Sequence, residues 1–361
     1  MLHGLSLVGV AEIFPDYEIC ELNEKKEISM SSVETSLTDH EFKNRKSGLI
    51  LFGIIHLGLG CLCVLLVLMM TISIVATLKI ETPASEQLNP RMMLPGLLFY
   101  VGIAVWLIWV GVGSILARRW ARVLILITSW LSMISGILGM AMMWFIMPQV
   151  YAQAGETPGL PAGFHQIILY VTMGMMAVLF ILLPGIMILF YKSPHVKLTC
   201  QYYNPKPSWT DRCPLSVFMA ALLFGFWAIC MPSIGVYGWT LPFFGVLLSG
   251  WSGAIVSVLL MLTMAYIAWG SYKLNKRAWV CSIVVVTAWA LSIAITFSRV
   301  SLMDYYEKMN LPQAQLDSLE PFCATSQPLF IGMGLIWVAL ILGLLLYNRK
   351  FYTDSGVMAR R

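Results

Sequence analysis

Eight long apolar runs dominate the sequence and limit what it can fold into. A helix needs roughly 20 apolar residues to cross the hydrocarbon core of a bilayer, and each run is long enough. In lipid, only helices and closed barrels pair every backbone polar group, and barrel strands would alternate in polarity. We therefore predict an all-α membrane protein with eight transmembrane helices. The predicted spans are 48–78, 93–117, 121–147, 166–191, 214–237, 241–271, 278–299 and 326–347.

Basic residues divide the segments between these spans into two sides. Lysine and arginine concentrate on the cytoplasmic side of membrane proteins, so we predict a multi-pass protein of the cell inner membrane with both termini cytoplasmic. Four basic residues lie on the outer side, Lys79, Arg91, Arg299 and Lys308. Fifteen lie on the other side, Lys43, Arg45, Lys46, Arg118, Arg119, Arg122, Lys192, Lys197, Lys206, Arg212, Lys273, Lys276, Arg277, Arg349 and Lys350.

Composition agrees with this class of protein. Hydrophobic residues make up 59% of the chain and charged residues 11%, whereas soluble domains carry about 25% charged residues. The predicted partner is the lipid bilayer, and nothing in the charge pattern indicates nucleic acid. The net charge of +5 reflects residues that set orientation. The predicted orientation determinants, with their tryptophan anchors at the membrane interface, are Arg118, Arg119, Arg122, Lys276, Arg277, Trp120 and Trp279.

One passage of basic residues and tryptophans occurs twice. Trp120 and Trp130 match Trp279 and Trp289 at a single offset of 159 residues, and a Gly-Ser step precedes each pair. The matching passages lie between spans 2 and 3 and between spans 6 and 7. We therefore predict two tandem four-helix repeats. Because four is even, both copies enter the membrane from the same side and are parallel, related by an axis along the membrane normal.

These features predict the division of the chain. We hypothesise that residues 1–29 are not translated, because KKEISM could be encoded by a purine-rich ribosome-binding stretch ahead of Met30. The predicted parts are a polar cytoplasmic tail at 1–47, a first four-helix unit at 48–191, a linker at 192–213, a second four-helix unit at 214–350 and a tail at 351–361.

The linker is rich in proline and polar residues, which predicts an irregular cytoplasmic connection and not a helix. Thr210 or Asp211 is expected to cap the fifth span, with Pro214 in its first turn. The texts GSILARRWARVLILITSW and SPHVKLTC followed by WTDRCP resemble a family of uncharacterised bacterial multi-span membrane proteins. The resemblance covers about residues 48 to 347. It implies a multi-span topology and a bacterial origin, and it brings no chemistry.

Ionisable residues inside the spans are the natural functional candidates, because charge in hydrocarbon is costly. No Asp or Glu lies inside any of the eight predicted spans, which removes the usual carboxylates of proton-coupled transport and of metal-dependent lipid chemistry. His56 could bind a cofactor or relay a proton. The favoured alternative is a neutral histidine bonded to a neighbouring backbone carbonyl. The other spans offer no second histidine as an opposing haem ligand, and no cofactor is predicted.

The linker holds a weak candidate for a metal site. His195, Cys200 and Cys213 are ligand types that zinc prefers, but they lack a close cysteine pair and a fourth ligand. Ordinary cytosolic cysteines are the favoured alternative. Cys61 and Cys63, two apart on a helix, point in different directions and cannot share a metal.

Four further features are candidates for a role in packing or function. Arg299 is expected to snorkel to the interface and to pair with Asp304 or Glu307; binding a substrate is the alternative. Residues 302–322 read as a broken amphipathic helix on the membrane, and the loop 302–325 as a candidate docking surface for a membrane-protein partner. Pro184 should kink the fourth span. Pro242, with Gly245, Gly250 and Gly253, should loosen the sixth. Close helix packing is the favoured explanation of these residues, and a transporter binding site is the alternative.

No catalytic constellation is visible, so we predict a protein without enzymatic activity. The favoured function is that of a structural or accessory protein of the bacterial inner membrane. The alternative is a permease for a neutral or apolar small molecule, with a cavity between the two repeats. An enzyme acting on lipids ranks third, since no cluster of His, Asp, Glu and Ser emerges. A dry, packed interface between the repeats would favour the accessory role, and a water-filled one the permease.

Overall fold

A computed structural model describes residues 43–79, 90–154, 164–309 and 311–353. Within them, eight helices are long and apolar enough to cross a membrane, as predicted. The hypothesis about residues 1–29 falls outside the described part. The helices are α1 Lys46–Lys79, α2 Pro90–Ile115, α3 Arg119–Ala154, α4 (Phe164–Ala177, a π-helical turn Val178–Leu182, and Leu183–Lys192), α5 Pro194–Tyr203, α6 Leu215–Cys230, α7 Gly250–Tyr272, α8 Lys276–Phe297, α9 Leu302–Glu307 and α10 Gln313–Thr353.

The spanning helices pack mainly with their neighbours in the chain. In the first half, α1 to α4, α1 lies along α2 and α3 along α4. In the second half, α6 to α10, α6 lies along α7, and α8 along α10. Helix α3 also contacts α10 and α6, and so joins the two halves. We call the end that carries the α2–α3 and α7–α8 turns and α5 the basic end, and the opposite end the far end.

The largest apolar core lies at the basic end. It combines buried side chains of α1, α3 and α4 with Val196 of α5 and Val217 of α6. A second core lies within the second half and includes Phe224 of α6, Ile267 of α7 and Leu345 of α10. Most large apolar side chains elsewhere on the helices are exposed, as expected of surfaces that contact lipid.

The predicted span 241–271 is wrong in its first nine residues. These form a two-stranded hairpin, β1 Leu241–Phe243 and β2 Val246–Leu248, and α7 starts only at Gly250. The reason is local. Pro242 has no N–H to donate, and Phe244 and Gly245 have positive φ angles of 41° and 96°, which no helix can contain.

The prediction of an irregular linker is also wrong. Residues Pro194–Tyr203 form α5, and Trp209–Arg212 form a 3-10 turn. The prolines fall at the boundaries of α5 and not inside it: Pro194 occupies its first turn after Ser193, where a missing N–H does no harm. Asp211 belongs to the 3-10 turn, and Pro214 itself is the residue that precedes α6. Neither Thr210 nor Asp211 therefore caps α6.

The irregularity predicted at Pro184 is present in a specific form. The π-helical turn Val178–Leu182 lies directly before this proline, whose ring would clash with the carbonyl of Phe180 in a regular α-helix. The displaced Phe180 carbonyl oxygen lies 2.9 Å from where a Cβ on Gly136 would sit, so α3 approaches closely at this point.

The segment after α8 is helical in two pieces. Helix α9 is short, and α10 begins at Gln313 and continues through the last span. Gln327 of α10 fixes α9, because its side chain accepts from the Leu302 amide (3.0 Å) and donates to the Phe297 carbonyl (2.8 Å). The break predicted within 302–322 is therefore present, but the second piece is part of the last spanning helix.

Gly253 is expected to be essential for the hairpin between α6 and α7. A Cβ there would collide with the backbone carbonyl oxygen of Trp239, so Gly253→Ala should destabilise the protein by about 1–3 kcal/mol. The measurement is thermal unfolding of the purified protein in detergent. Gly343→Ala is the matched control, since nothing lies within 4 Å of a Cβ at that position. Equal melting temperatures for the two variants would contradict this account.

Candidate functional site

The turn between α2 and α3 is closed by backbone hydrogen bonds at the basic end. Ala117 has a positive φ of 51°, and the Arg118 amide donates to the Gly113 carbonyl over 2.8 Å. This is the hydrogen-bond pattern that commonly ends a helix through one left-handed residue. There is no room for a side chain at Gly113, because the Ala121 methyl group lies 2.7 Å from where a Cβ would be.

The turn between α7 and α8 has the same geometry. Leu274 has a φ of 56°, and the Asn275 amide donates to the Gly270 carbonyl over 2.8 Å. A Cβ on Gly270 would collide with Ala278. Asn275 then caps α8 by accepting from the Arg277 amide over 3.0 Å. Lys276 and Arg277, the predicted orientation determinants here, are exposed.

Equivalent residues of the two turns are 157 positions apart (274 − 117), which corrects the offset of 159 suggested by the tryptophans. Trp120 and Trp279 are therefore not structurally equivalent. Trp120 stacks on Trp109 with ring centroids 4.4 Å apart. Trp279 donates from Nε1 to the Leu345 carbonyl over 2.7 Å. Its equivalent in the first half is Arg122.

Arg122 and Trp279 perform the same structural task. Arg122 donates from Nε to the Tyr191 carbonyl near the end of α4, over 3.0 Å. Trp279 donates to the Leu345 carbonyl, about two turns before the end of α10. Each half thus ties the start of its third spanning helix to its fourth through one side-chain N–H, at a different distance from the end of the fourth helix.

The other two arginines of the first turn hold the linker. Arg118 donates to the Asn204 amide oxygen over 3.0 Å, and Arg119 to the Pro205 carbonyl over 3.2 Å. Asn204 returns a bond from Nδ2 to the Ala117 carbonyl over 2.9 Å. These side chains were predicted to fix orientation, and the sequence did not reveal their contacts with the linker.

The 3-10 turn of the linker contacts the turns of both halves. Asp211 forms an ion pair with Arg119 at 3.1 Å, and it accepts from the Ser208 amide over 2.9 Å. On the other side, the Tyr272 hydroxyl donates to the Trp209 carbonyl over 3.2 Å. We call this turn, Trp209–Arg212, the linker clamp. Sequence reasoning missed Asp211 in this role, although an acidic residue among basic ones was a visible signal.

The three candidate metal ligands do not form a metal site. No group of three or more His, Cys, Asp or Glu side chains suitable for a metal occurs in the described part of the chain. Cys200 and Cys213 are buried in the large core. Burial raises the pKa of Cys200 to about 11 against the opposing effect of Arg122 and Arg119, and burial raises the pKa of Cys213 to about 11.

His56 occupies the position expected of a structural histidine. It is buried at 5% exposure, and its Nδ1 bonds the Phe52 carbonyl over 2.8 Å. Because a carbonyl only accepts, Nδ1 carries the proton. Arg299 is exposed at the far end and lies beside Gly245 of the hairpin, with its Nη1 atom 3.3 Å from where a Cβ would sit. Among the residues that the structure describes, no ion pair joins Arg299 to Asp304 or Glu307, in contrast to the prediction.

Hydroxyl groups of α8 hold the hairpin at the far end. Ser292 accepts from the Phe244 amide over 2.9 Å and donates to the Pro242 carbonyl over 3.2 Å. Thr296 accepts from the Gly245 amide over 3.0 Å. The hairpin is thereby fixed to a spanning helix. Nothing in the sequence of α8 distinguishes Ser292 and Thr296 from other polar residues of a helix.

Comparison of the chain with family models, with curated proteins and with solved structures finds no match. The geometry of the site is therefore the basis for assigning a function. Its polar contacts are made between elements of the protein itself. They fasten helix ends, the linker and the hairpin to one another.

The ion pair of the linker clamp can be isolated by a matched pair of variants. Asp211→Asn removes the charge that pairs with Arg119, while an amide oxygen can still accept from Ser208. Asp304→Asn is the control, because Asp304 accepts from the Ser301 amide over 3.0 Å in the same way and has no described ion pair. We expect Asp211→Asn to cost about 1 kcal/mol more in unfolding free energy than the control. Equal losses would show that the ion pair contributes nothing.

The buried linker thiols predict a pH effect. Their pKa values rise from 9.0 to about 11 on folding, so the unfolded chain loses protons first and stability falls as the pH rises through that window. Between pH 8 and pH 10 the loss should be roughly 1 kcal/mol per thiol. The Cys200→Ala/Cys213→Ala variant should show a smaller loss of stability over the same interval. An identical pH dependence would contradict the prediction.

Proposed function

We propose that this integral membrane protein is a non-enzymatic structural or accessory component of the bacterial inner membrane. The observation that carries the proposal is the large core at the basic end, which is continuous across both halves and the linker. It contains Leu124 of α3, Val196 of α5, Val217 of α6 and Tyr352 of α10. Close packing of this kind excludes water and resists relative movement of the halves.

The polar contacts support the same function. A transport site for a polar solute needs side chains that are free to bind it. At the basic end, Arg118, Arg119 and Arg122 donate to the linker or to a helix end. His56 bonds within its own helix. Each of these polar side chains therefore serves to hold the fold together.

We also infer that the two halves are parallel repeats that arose by duplication. The equal turns support this inference, and so does the fact that Arg122 and Trp279 each join the third spanning helix of their half to the fourth. Burial supports it as well. In α1, the buried positions Leu49, Phe52, Gly53, His56 and Gly60 recur 168 residues later in α6 as Val217, Ala220, Ala221, Phe224 and Ala228.

The basic end is proposed to face the cytoplasm, which puts both termini on that side. The support is the excess of lysine and arginine at this end. The resemblance to bacterial multi-span proteins supports the inner membrane. At the far end, the segment 302–325 is a proposed docking surface for a membrane-protein partner. Its described exposed residues include Asp304, Glu307, Asp317 and Glu320, which would suit a partner with basic residues.

A permease is the second candidate, and the π-helical turn of α4 favours it. Such turns are frequent at functional sites, and interrupted helices occur in transporter binding sites. A permease would need a water-filled path between the halves at the basic end. The accessory function requires that this interface stays dry.

Cysteine accessibility separates the two candidates. In a variant without native cysteines, Leu124→Cys and Val217→Cys place thiols on facing halves of the core, where both native side chains are fully buried. We expect neither thiol to react with a water-soluble methanethiosulfonate reagent in membranes. Lys206→Cys, in the exposed linker, is the positive control, and lipid-facing Leu189→Cys is the negative control. Reaction at position 124 or 217 would favour the permease and overturn the accessory function.

A further inference from the structure

The turn of the hairpin between α6 and α7 uses an unusual residue. Phe243 and Val246 are the last pair of the two strands, so Phe244 and Gly245 form a two-residue loop. Both loop residues have positive φ angles, 41° and 96°. Loops of this kind normally use Asn-Gly or Asp-Gly, because a bulky side chain is strained at positive φ. A phenylalanine at this position therefore needs an explanation from its surroundings.

The end of the hairpin is apolar and exposed. We call residues 243–246 the hairpin tip. Phe243 is 38% exposed, Phe244 47% and Val246 53%. The two phenylalanine rings contact each other edge to face, with centroids 5.2 Å apart. Apolar area of this kind is unfavourable in water, and turns that face water usually carry polar residues instead.

The polar backbone groups of the hairpin tip bond to side chains of α8. The Phe244 amide donates to the Ser292 hydroxyl over 2.9 Å, and the Gly245 amide to the Thr296 hydroxyl over 3.0 Å. Both hydroxyl residues are buried, at 1% and 0% exposure. In a loop that faces water, solvent can accept these bonds, whereas in hydrocarbon the protein has to supply every partner. The backbone of the tip is therefore suited to a place inside the bilayer.

Helix lengths indicate how deep the hairpin tip lies. Helix α8 has 22 residues and is about 33 Å long, close to the roughly 30 Å of the hydrocarbon core. Ser292 lies five residues before the end of α8, so it holds the tip about 7 Å below that end. The base of the hairpin leads into α7, whose 23 residues begin at Gly250 and extend to the level of the end of α8. From its base, the hairpin thus turns back towards the membrane.

Arg299 marks the level of the lipid headgroups beside the tip. It lies two residues after the end of α8 and is exposed. Its Nη1 atom lies 3.3 Å from where a Cβ on Gly245 would sit. Among the described residues, no acidic side chain forms an ion pair with it. Because arginine near the end of a spanning helix extends its charged group to the interface, the edge of the headgroup layer is expected beside Gly245.

We propose that the hairpin tip is inserted among the acyl chains of the leaflet at the far end. Phe243, Phe244 and Val246 contact lipid tails there, and hydroxyl groups of α8 supply the hydrogen bonds that water would otherwise make. The insertion explains the choice of phenylalanine in the loop, because an asparagine would bring a polar side chain into hydrocarbon at a cost in free energy. Because the tip lies below the end of α8, its contact is with lipid tails and not with a water-soluble partner.

Spin labelling in lipid vesicles tests the depth of the tip. In full-length protein without native cysteines, a nitroxide is attached at Val246→Cys in the tip or at Ser249→Cys, which is exposed at the base of the hairpin. Collisions with oxygen, which concentrates in lipid, are compared with collisions with a water-soluble nickel chelate, in vesicles of phosphatidylethanolamine and phosphatidylglycerol. We expect the ratio of oxygen to nickel collisions to be several-fold higher at position 246 than at position 249. Leu262→Cys, exposed at the middle of α7, is the lipid standard, and Glu307→Cys, exposed on α9, is the water standard.

Two results would overturn the proposal. A ratio at position 246 equal to or lower than that at position 249 would show that the tip projects into water, as an ordinary loop does. Low collision rates with both oxygen and nickel at position 246 would show that a protein surface, such as a second copy of the chain, covers the tip. Phe243→Cys, on the opposite strand and also without a positive φ, repeats the measurement, so that a local disturbance at one position does not decide the outcome.

Discussion

The hydrocarbon of the bilayer offers no hydrogen bonds, and this constraint accounts for the rest of the structure. Every polar group inside the spans has to find its partner within the protein. Helices satisfy the backbone, and several polar side chains inside the spans bond to a carbonyl of their own helix, as His56 does with Phe52. Polar side chains that need several hydrogen bonds, such as those of the arginines, lie where the helices end. The densest polar contacts accordingly lie at the turns and the linker, and not at mid-membrane.

The arginines of the α2–α3 turn combine structural contacts with the proposed role in orientation for this reason. A charge at the membrane surface fixes orientation and needs no buried partner. Once there, Arg118 and Arg119 can donate to the linker that passes over them, and Arg119 can pair with Asp211. The linker clamp then reaches the second half through Tyr272. Residues that the proposed orientation requires thus also join the halves, so a substitution that changes their charge also changes the contact between the halves.

The sequence predicted the parts of the fold that depend on local composition. Eight spans followed from the length and apolarity of the runs, and the irregularity at Pro184 from one residue. The hairpin before α7 was missed because a buried apolar strand and an apolar helix have the same hydropathy. Helix α5 was missed because the prolines of the linker were taken to exclude a helix. Pro194 lies in the first turn of α5, where a missing N–H does no harm. The contact of Ser114 with Tyr191 joins residues 77 positions apart, and no local pattern encodes it.

The two halves, taken as copies, differ most in how they satisfy polar groups at equivalent positions. Arg122 and Trp279 reach carbonyls of the fourth spanning helix of their half with different N–H groups. Met187 and Asn348 occupy the same position relative to a buried tyrosine, one apolar and one polar. Losing the partner of a buried donor or acceptor costs free energy, so a polar exchange is easiest where the bond does not join two helices. His56 and Phe224 are such a pair, because the described bond of His56 is to the Phe52 carbonyl of its own helix. On the proposal that the halves are copies, hydrogen-bond partners between helices therefore limit how far the copies can diverge.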